Sequence, residues 1–290
     1  MTAVPAAPSA RRERNRSWRR FTANRLAVLG LIVVVVLTAM ALLAPVIAPF
    51  DPARQDFSAL LQRPGGGHLL GTDELGRDTL TRVMYGARIS LSAGLVSVLL
   101  ALIAGSLLGL LAGFVGGWLD EVIGRVIDAL LAFPFLILAI TLAAILGPSL
   151  QNTMLAIAIV TTPAFARVTR AQVLAQRELE YVQAAGALGA GRWRTLLRHI
   201  LPNISGALIV QASLAIAEAV LAESTLSFLG LGVQPPTPSW GSMLNTARGY
   251  LQTAPWLALS PGVVIFLTVL AFNLLGDGLR DALDPRGRTR

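Results

Sequence analysis

The chain contains no lysine and no cysteine, and its only histidines are His68 and His199. A phosphate-cradling loop of the Walker A type needs a lysine, so this chain cannot form one. Without cysteine there can be no disulfide, iron–sulfur cluster or thiolate metal site. Two histidines far apart exclude the H-E-x-x-H pattern, so neither a metal site nor a catalytic constellation is expected. Charge is also scarce: 14% of the 290 residues are charged, where a soluble domain carries about a quarter.

Apolar residues take the place of charge. The composition is 54% hydrophobic and the mean hydropathy is +0.65. Several uncharged runs exceed the roughly 20 residues that a helix needs to cross a bilayer. The expected fold is therefore an all-α membrane protein. Leu26 to Phe50 and Ile89 to Leu119 are each uncharged and supply two spans. Ala129 to Ala166 is uncharged but too long for one span, and "GPSLQN" (Gly147 to Asn152) turns the chain within it. Proline and glycine break helices, so two spans are expected here, 122–146 and 150–168. Ile204 to Leu229 and 256–276 complete six spans. Gly105, Gly109 and Gly113 recur every four residues. That is either a face for close helix approach or the general abundance of glycine in membrane helices.

The organisation read from these spans has four parts. Residues 1–25 form an arginine-rich tail, and 26–88 the first span with an extracytoplasmic loop. Residues 89–277 hold five spans, and 278–290 a C-terminal tail. All 24 basic residues are arginine. With both termini inside, 18 of them fall in inner segments and 6 in outer ones. Positive charge accumulates on the cytoplasmic side, so both termini are expected in the cytoplasm. The arginines sit in loops and tails rather than in one stripe, which argues for orientation and against a nucleic-acid partner.

One polar insert interrupts this pattern: "EYVQAAGALGAGRWRTLLRHILPN", Glu180 to Asn203. Trp193, Leu196, Leu197, Ile200 and Leu201 follow the i, i+3, i+4, i+7, i+8 spacing of an apolar helix face. Thr195 and His199 fall on the other side, and Pro202 is expected to end this short helix. Before it, Ala184 and Ala185 give a slim surface, while Gly189 and Gly191 can take positive φ and turn the chain back. A helix–turn–helix projection fits a groove on another protein; it also fits an ordinary connection.

The insert closely resembles the coupling loop, or EAA motif, of ABC importer permeases. That pattern runs E-A-A, three residues, glycine, nine residues, I-x-L-P. Gln183-Ala184-Ala185, Gly189 and His199-Ile200-Leu201-Pro202 fall in register with it. Gln183 replaces the glutamate and His199 the first isoleucine, and Glu180, one turn before Ala184, could supply the acid. "GTDELGRDTLTRVMYGARISL", "LSFLGLGVQPPTPSWG" and "FLTVLAFNLLGDGLRDALDPR" resemble the dipeptide/oligopeptide/nickel importers, in particular the second of their two permease subunits. The resemblance runs from about residue 20 to the C-terminus.

The resemblance implies a type I ABC importer permease fold in a prokaryotic inner membrane, with a cytoplasmic coupling helix and a coupling loop at about 170–203. It implies a heterodimer with a homologous permease, two ATP-binding subunits and an extracytoplasmic substrate-binding protein. ATP and Mg would be used by the partner subunits, with no cofactor on this chain. The cargo would be a di- or oligopeptide or a related small solute such as nickel or glutathione. An ion-coupled secondary transporter is the alternative.

Other residues carry two readings each. Glu218 and Glu223 lie in a span and are more than one turn apart. Each could line a path or make an interhelical hydrogen bond. Asp128 beside Arg125 reads as paired or reaching to the boundary. Asp78 or Thr79 reads as the cap of a helix running through Arg88. Trp240 reads as an interfacial anchor, and His68 as a loop residue.

Overall fold

The computed structural model describes residues 19–283, and among these it is helical with no strand. Helix α1 is Arg25–Ile47, capped by Asn24, whose side chain accepts from Leu26 and Ala27 N–H. Helix α2 is Thr79–Val115, α3 is Gly117–Leu131 and α4 is Phe135–Leu146. Helix α5 is Leu150–Arg177, α6 is Glu180–Ala187 and α7 is Arg192–Thr195. A π-turn over Leu196–Ile200 joins α7 to α8, Leu201–Phe228. Helix α9 is Trp240–Ala247 and α10 is Trp256–Leu283. Residues 1–18 of the expected N-terminal tail, and 284–290 of the C-terminal one, lie outside the described residues.

Five helical stretches are long and apolar enough to cross a membrane: Arg25–Ile47, Thr79–Val115, Leu150–Arg177, Arg192–Phe228 and Trp256–Leu283. The sixth expected span, 122–146, is not one helix. Helices α3 and α4 meet at a 93° bend. The cause is Pro134, which stands as the cap of α4 with ψ 129°. Proline pushes the residue before it out of the α region. Helix α4 has only 12 residues, about 18 Å of rise, too short to cross a core about 30 Å thick alone, and the bent pair is either one broken span or a re-entrant loop.

Most boundaries differ from those expected. Helix α2 starts at Thr79, as the capping reading held, with Asp78 accepting from Thr81 N–H; the expected boundary at residue 88 falls inside this helix. It stops at Gly116, whose φ is 72°. Helix α5 continues to Arg177 and α10 to Leu283, so neither the coupling loop nor the C-terminal tail begins in coil.

The most extensive helix interface is α2 against α5. Added Cβ atoms on Gly105 and Gly113 would lie 2.6 Å from the Phe165 side chain and 3.0 Å from that of Val173. Gly105 and Gly113 therefore permit close approach, as one of the two sequence readings held. A core of small residues follows from this packing: Ala101, Ala139, Ala143, Ala156, Ala215, Ala219 and Ala222, with Phe165 and Leu226, form one buried cluster.

The bundle has two distinct ends. Thr153 donates to Leu231 O at 3.1 Å, and Trp240 Nε1 donates to Val83 O at 3.1 Å. These contacts gather the starts of α2 and α5 with the 229–239 connection at what we term the loop end. At the other end, Arg177 donates to Gly113 O at 2.9 Å, and α6 projects nearby. Phe21, Ala27 and Ala282 cluster together, so both termini of the described chain lie at this hairpin end.

Candidate functional site: a projecting hairpin and two intramembrane carboxylates

The expected coupling residues are brought together in the hairpin. Glu180 begins α6 and is exposed. Gln183 and Ala184 are exposed, and Ala185 is half-buried. Gln183 Nε2 donates to Glu178 O at 3.4 Å, a long contact. The helix is held to the bundle mainly through Val182, which is 6% exposed and packs with Leu110, Val173, Leu196 and Ile200. Tyr181 adds a polar tie: its hydroxyl donates to Gln176 Oε1 at 2.5 Å and accepts from Asn203 Nδ2 at 3.1 Å.

Gly189 turns the chain, with φ 83° and no atom within 4 Å of an added Cβ. A side chain there would be strained by backbone conformation, not by crowding. Gly191 does not share this role. Its φ is −59° and it stands as the cap of α7.

The second half of the hairpin departs from the expected amphipathic helix. Leu196 and Ile200 are buried, but Trp193 is 64% exposed and Leu197 57% exposed, while Thr195 is buried. Nor does Pro202 end the helix. It lacks an N–H and its ring crowds the preceding turn. The chain meets this by widening: Leu201 N–H donates to Leu196 O, five residues back, and the helix runs on to Phe228. The π-turn shifts the inward stripe to Leu196, Ile200, Ile204 and Leu208, so a regular wheel misassigns the face. His199 and Leu201 are half-buried and Pro202 is exposed. His199 O accepts from Asn203 Nδ2 at 2.6 Å.

Two ion pairs tie α3 to α5 at this end, and composition did not single them out. Asp120 accepts from Arg170 Nε at 2.5 Å and Nη2 at 2.7 Å. Asp128 pairs with Arg167 at 2.7 Å and not with Arg125, whose partner is Glu121. Partners 39 and 50 residues apart leave no local signal.

Glu218 and Glu223 have separate environments. Glu223 is fully buried, and its Oε1 accepts from Ser227 at 2.7 Å. The hydroxyls of Ser90, Ser224 and Ser239 lie near it, but its Oε2 makes no hydrogen bond. Glu218 is exposed. Trp240 is no interfacial anchor: it is fully buried, with Gly86 against its ring.

The loop end holds a compact charged network. Asp73 accepts from Leu75 and Arg77 N–H at 2.9 Å and from Arg77 Nε at 2.7 Å. Arg82 Nε lies 3.4 Å from the same carboxylate, and its Nη1 donates to Pro52 O at 3.0 Å. Asp73, Arg77 and Arg82 are each at most 7% exposed. His68 is more than a loop residue. Its Nδ1 lies 2.8 Å from Asp78 Oδ1, and its ring meets Phe50 at 5.0 Å. Among the described residues there is no cluster of three or more metal-ligating side chains.

A bundle of membrane-crossing helices with an intramembrane break and a projecting hairpin defines a polytopic transport permease. Residues 105–289 match the family described as binding-protein-dependent transport system inner membrane component. Residues 15–64 match the N-terminal TM domain of oligopeptide transport permease C. The chain belongs to this family of inner-membrane permeases. It is 51% identical to the dipeptide transport system permease protein DppC of Escherichia coli, over 93% of this chain and 92% of that one. It is 50% identical to the di/tripeptide transport system permease protein DppC of Pseudomonas aeruginosa, over 93% and 91%. It is 46% identical to the glutathione transport system permease protein GsiD of Pectobacterium atrosepticum, over 93% and 90%.

Proposed function

We propose that this chain is one permease half of an ATP-driven importer for di- or tripeptides, or for a small peptide such as glutathione. The observation that carries the reading is the identity of 46–51% to permeases bearing those names, along nearly the whole chain. A homologous permease completes the path. Two ATP-binding subunits dock at the hairpin end, with Glu180, Gln183, Ala184, Ala185, Gly189, His199, Leu201 and Pro202 in or beside the contact. The exposed, small-residue surface of α6 and the exposed Leu188, Trp193 and Leu197 support that role, because apolar side chains gathered at a projection favour a protein partner. A substrate-binding protein delivers cargo at the loop end. ATP and Mg are handled by the partners, since this chain has no lysine for a phosphate loop.

The hairpin end is the cytoplasmic side on this reading, in line with the arginine bias. Single cysteines are clean probes in a chain that has none. In intact cells, an impermeant thiol reagent should modify Gln55→Cys in the exposed loop and spare Leu188→Cys. The opposite pattern inverts the orientation. The functional test is uptake of dialanine and of glutathione by proteoliposomes holding all subunits. Uptake should require ATP and the binding protein. Uptake driven by an ion gradient without ATP would instead identify a secondary carrier.

A further inference from the structure

Two carboxylates on α8, five residues apart, have opposite fates. Glu223 turns inward to serines. Glu218 is exposed and, among the described residues, makes no hydrogen bond or ion pair. It sits ten residues before Phe228, about 15 Å along the axis, and so well inside the membrane-crossing stretch Arg192–Phe228. Asp277, another unpaired carboxylate on a spanning helix, lies only six residues from the Leu283 end of α10.

An unpaired carboxylate at that depth is costly against acyl chains, so such residues face a partner or a watery cavity. Its neighbours on the helix are polar as well. Gln211, Glu218 and Thr225 recur every seven residues, drifting only about 20° per step. The stripe runs between two packed flanks of a helix on which Ile209 and Leu221 are also exposed, 51% each. On one side, Ala215, Ala219, Ala222 and Leu226 join α4 and α5. On the other, Leu214 lies 2.7 Å from where a Cβ on Gly276 of α10 would stand.

We propose that Gln211, Glu218 and Thr225 line the substrate path of the assembled importer, and that the Glu218 carboxylate receives the cationic amino group of the cargo. Charge complementarity selects that occupant: a peptide carries one fixed cation, its ammonium, and this face offers one unpaired anion. The inference rests on the peptide-importer reading above. It assigns Glu223, by contrast, to structure alone.

The test uses the complete importer in proteoliposomes. Single cysteines at Gln211, Glu218 and Thr225 should react with a charged, water-soluble thiol reagent, at rates that change between nucleotide-free and vanadate-trapped states. Ile209→Cys, 51% exposed and about 180° around the helix from Glu218, should not react. Glu218→Gln should lower the maximal uptake rate of dialanine or glutathione about tenfold, the loss of one charge-assisted hydrogen bond. It should keep the ATP hydrolysis stimulated by loaded binding protein, and Glu218→Asp should retain most uptake. Rates are normalised to the co-purified ATP-binding subunits, so a folding defect is not read as a transport defect. Failure of Glu218→Cys to react in either state, or Glu218→Gln transporting at the wild-type rate, overturns this inference while leaving the importer reading intact. Absence of ATP-dependent uptake by the unsubstituted importer overturns the importer reading itself.

Discussion

The two ends of the bundle solve opposite problems. At the loop end, charged side chains are buried and satisfy one another within the chain: Asp73, Arg77 and Arg82 are nearly inaccessible. At the hairpin end, apolar side chains are exposed: Leu188 is 88% and Trp193 64% accessible. A buried charge needs its partner inside the same fold. An exposed apolar projection gains most from a partner outside it. The loop end is held by these internal pairs, although Phe57 and Leu69 are also exposed there, 68% and 69%; on the proposed reading the hairpin is completed by another protein.

Breaking the loop end should have the largest effect. Asp73→Ala leaves the Arg77 and Arg82 guanidinium groups without their shared acceptor. Removing one partner of a buried pair costs about 3–5 kcal/mol. Amide hydrogen exchange across 51–78 should accelerate strongly in this variant, while exchange in α5 changes little. Unchanged exchange over 51–78 would show that the network does not hold the loop.

Breaking the hairpin should cost little folding and much coupling. A side chain at Gly189, where φ is 83°, carries a backbone penalty of roughly 1 kcal/mol or more. Gly189→Val and Ala185→Arg should both insert normally. Each should lose co-purification with the ATP-binding subunits, or keep it and lose stimulated hydrolysis and uptake. Arg192→Ala, exposed on α7, should be milder. Wild-type transport by both severe variants would remove the coupling role.

The smallest effect concerns pH at the loop end. Burial, and then the neighbouring Asp73 charge, hold the Glu74 carboxyl above the usual carboxylate range. Its Oε2 is buried without a partner. A carboxyl whose native titration is raised contributes stability that is full under acid conditions and is lost as pH rises through that titration. Protection of 51–78 should therefore fall slightly from acid toward neutral pH. Glu74→Gln should flatten the slope and leave neutral protection equal or higher. A steeper slope in the variant would contradict the assignment.

Much of this division was legible before any coordinates. Long uncharged runs marked the crossings, and the Asp78 cap marked where α2 begins. The motif around Gly189 marked the turn, and its φ agrees. What escaped has physical reasons. Pro134 lies inside an uncharged run whose length alone accommodates a span, so the break is carried only by the X-Pro step, a readable local signal. The amphipathic face failed because a wheel assumes a constant angle per residue and the π-turn at 196–200 breaks it. The pairs Asp120–Arg170 and Asp128–Arg167 join distant positions, which periodicity cannot reveal. Glu218 and Glu223 could be separated by angle, but which one is buried depends on neighbouring helices.

The central claim is that the hairpin is completed by the ATP-binding subunits. Amide hydrogen exchange on the reconstituted importer, before and after those subunits are stripped from the membrane, tests it directly. Exchange over 180–195 should be slow in the full assembly and accelerate once they are gone, while 51–78 stays equally protected in both. Identical exchange over 180–195 in the two preparations would contradict the account.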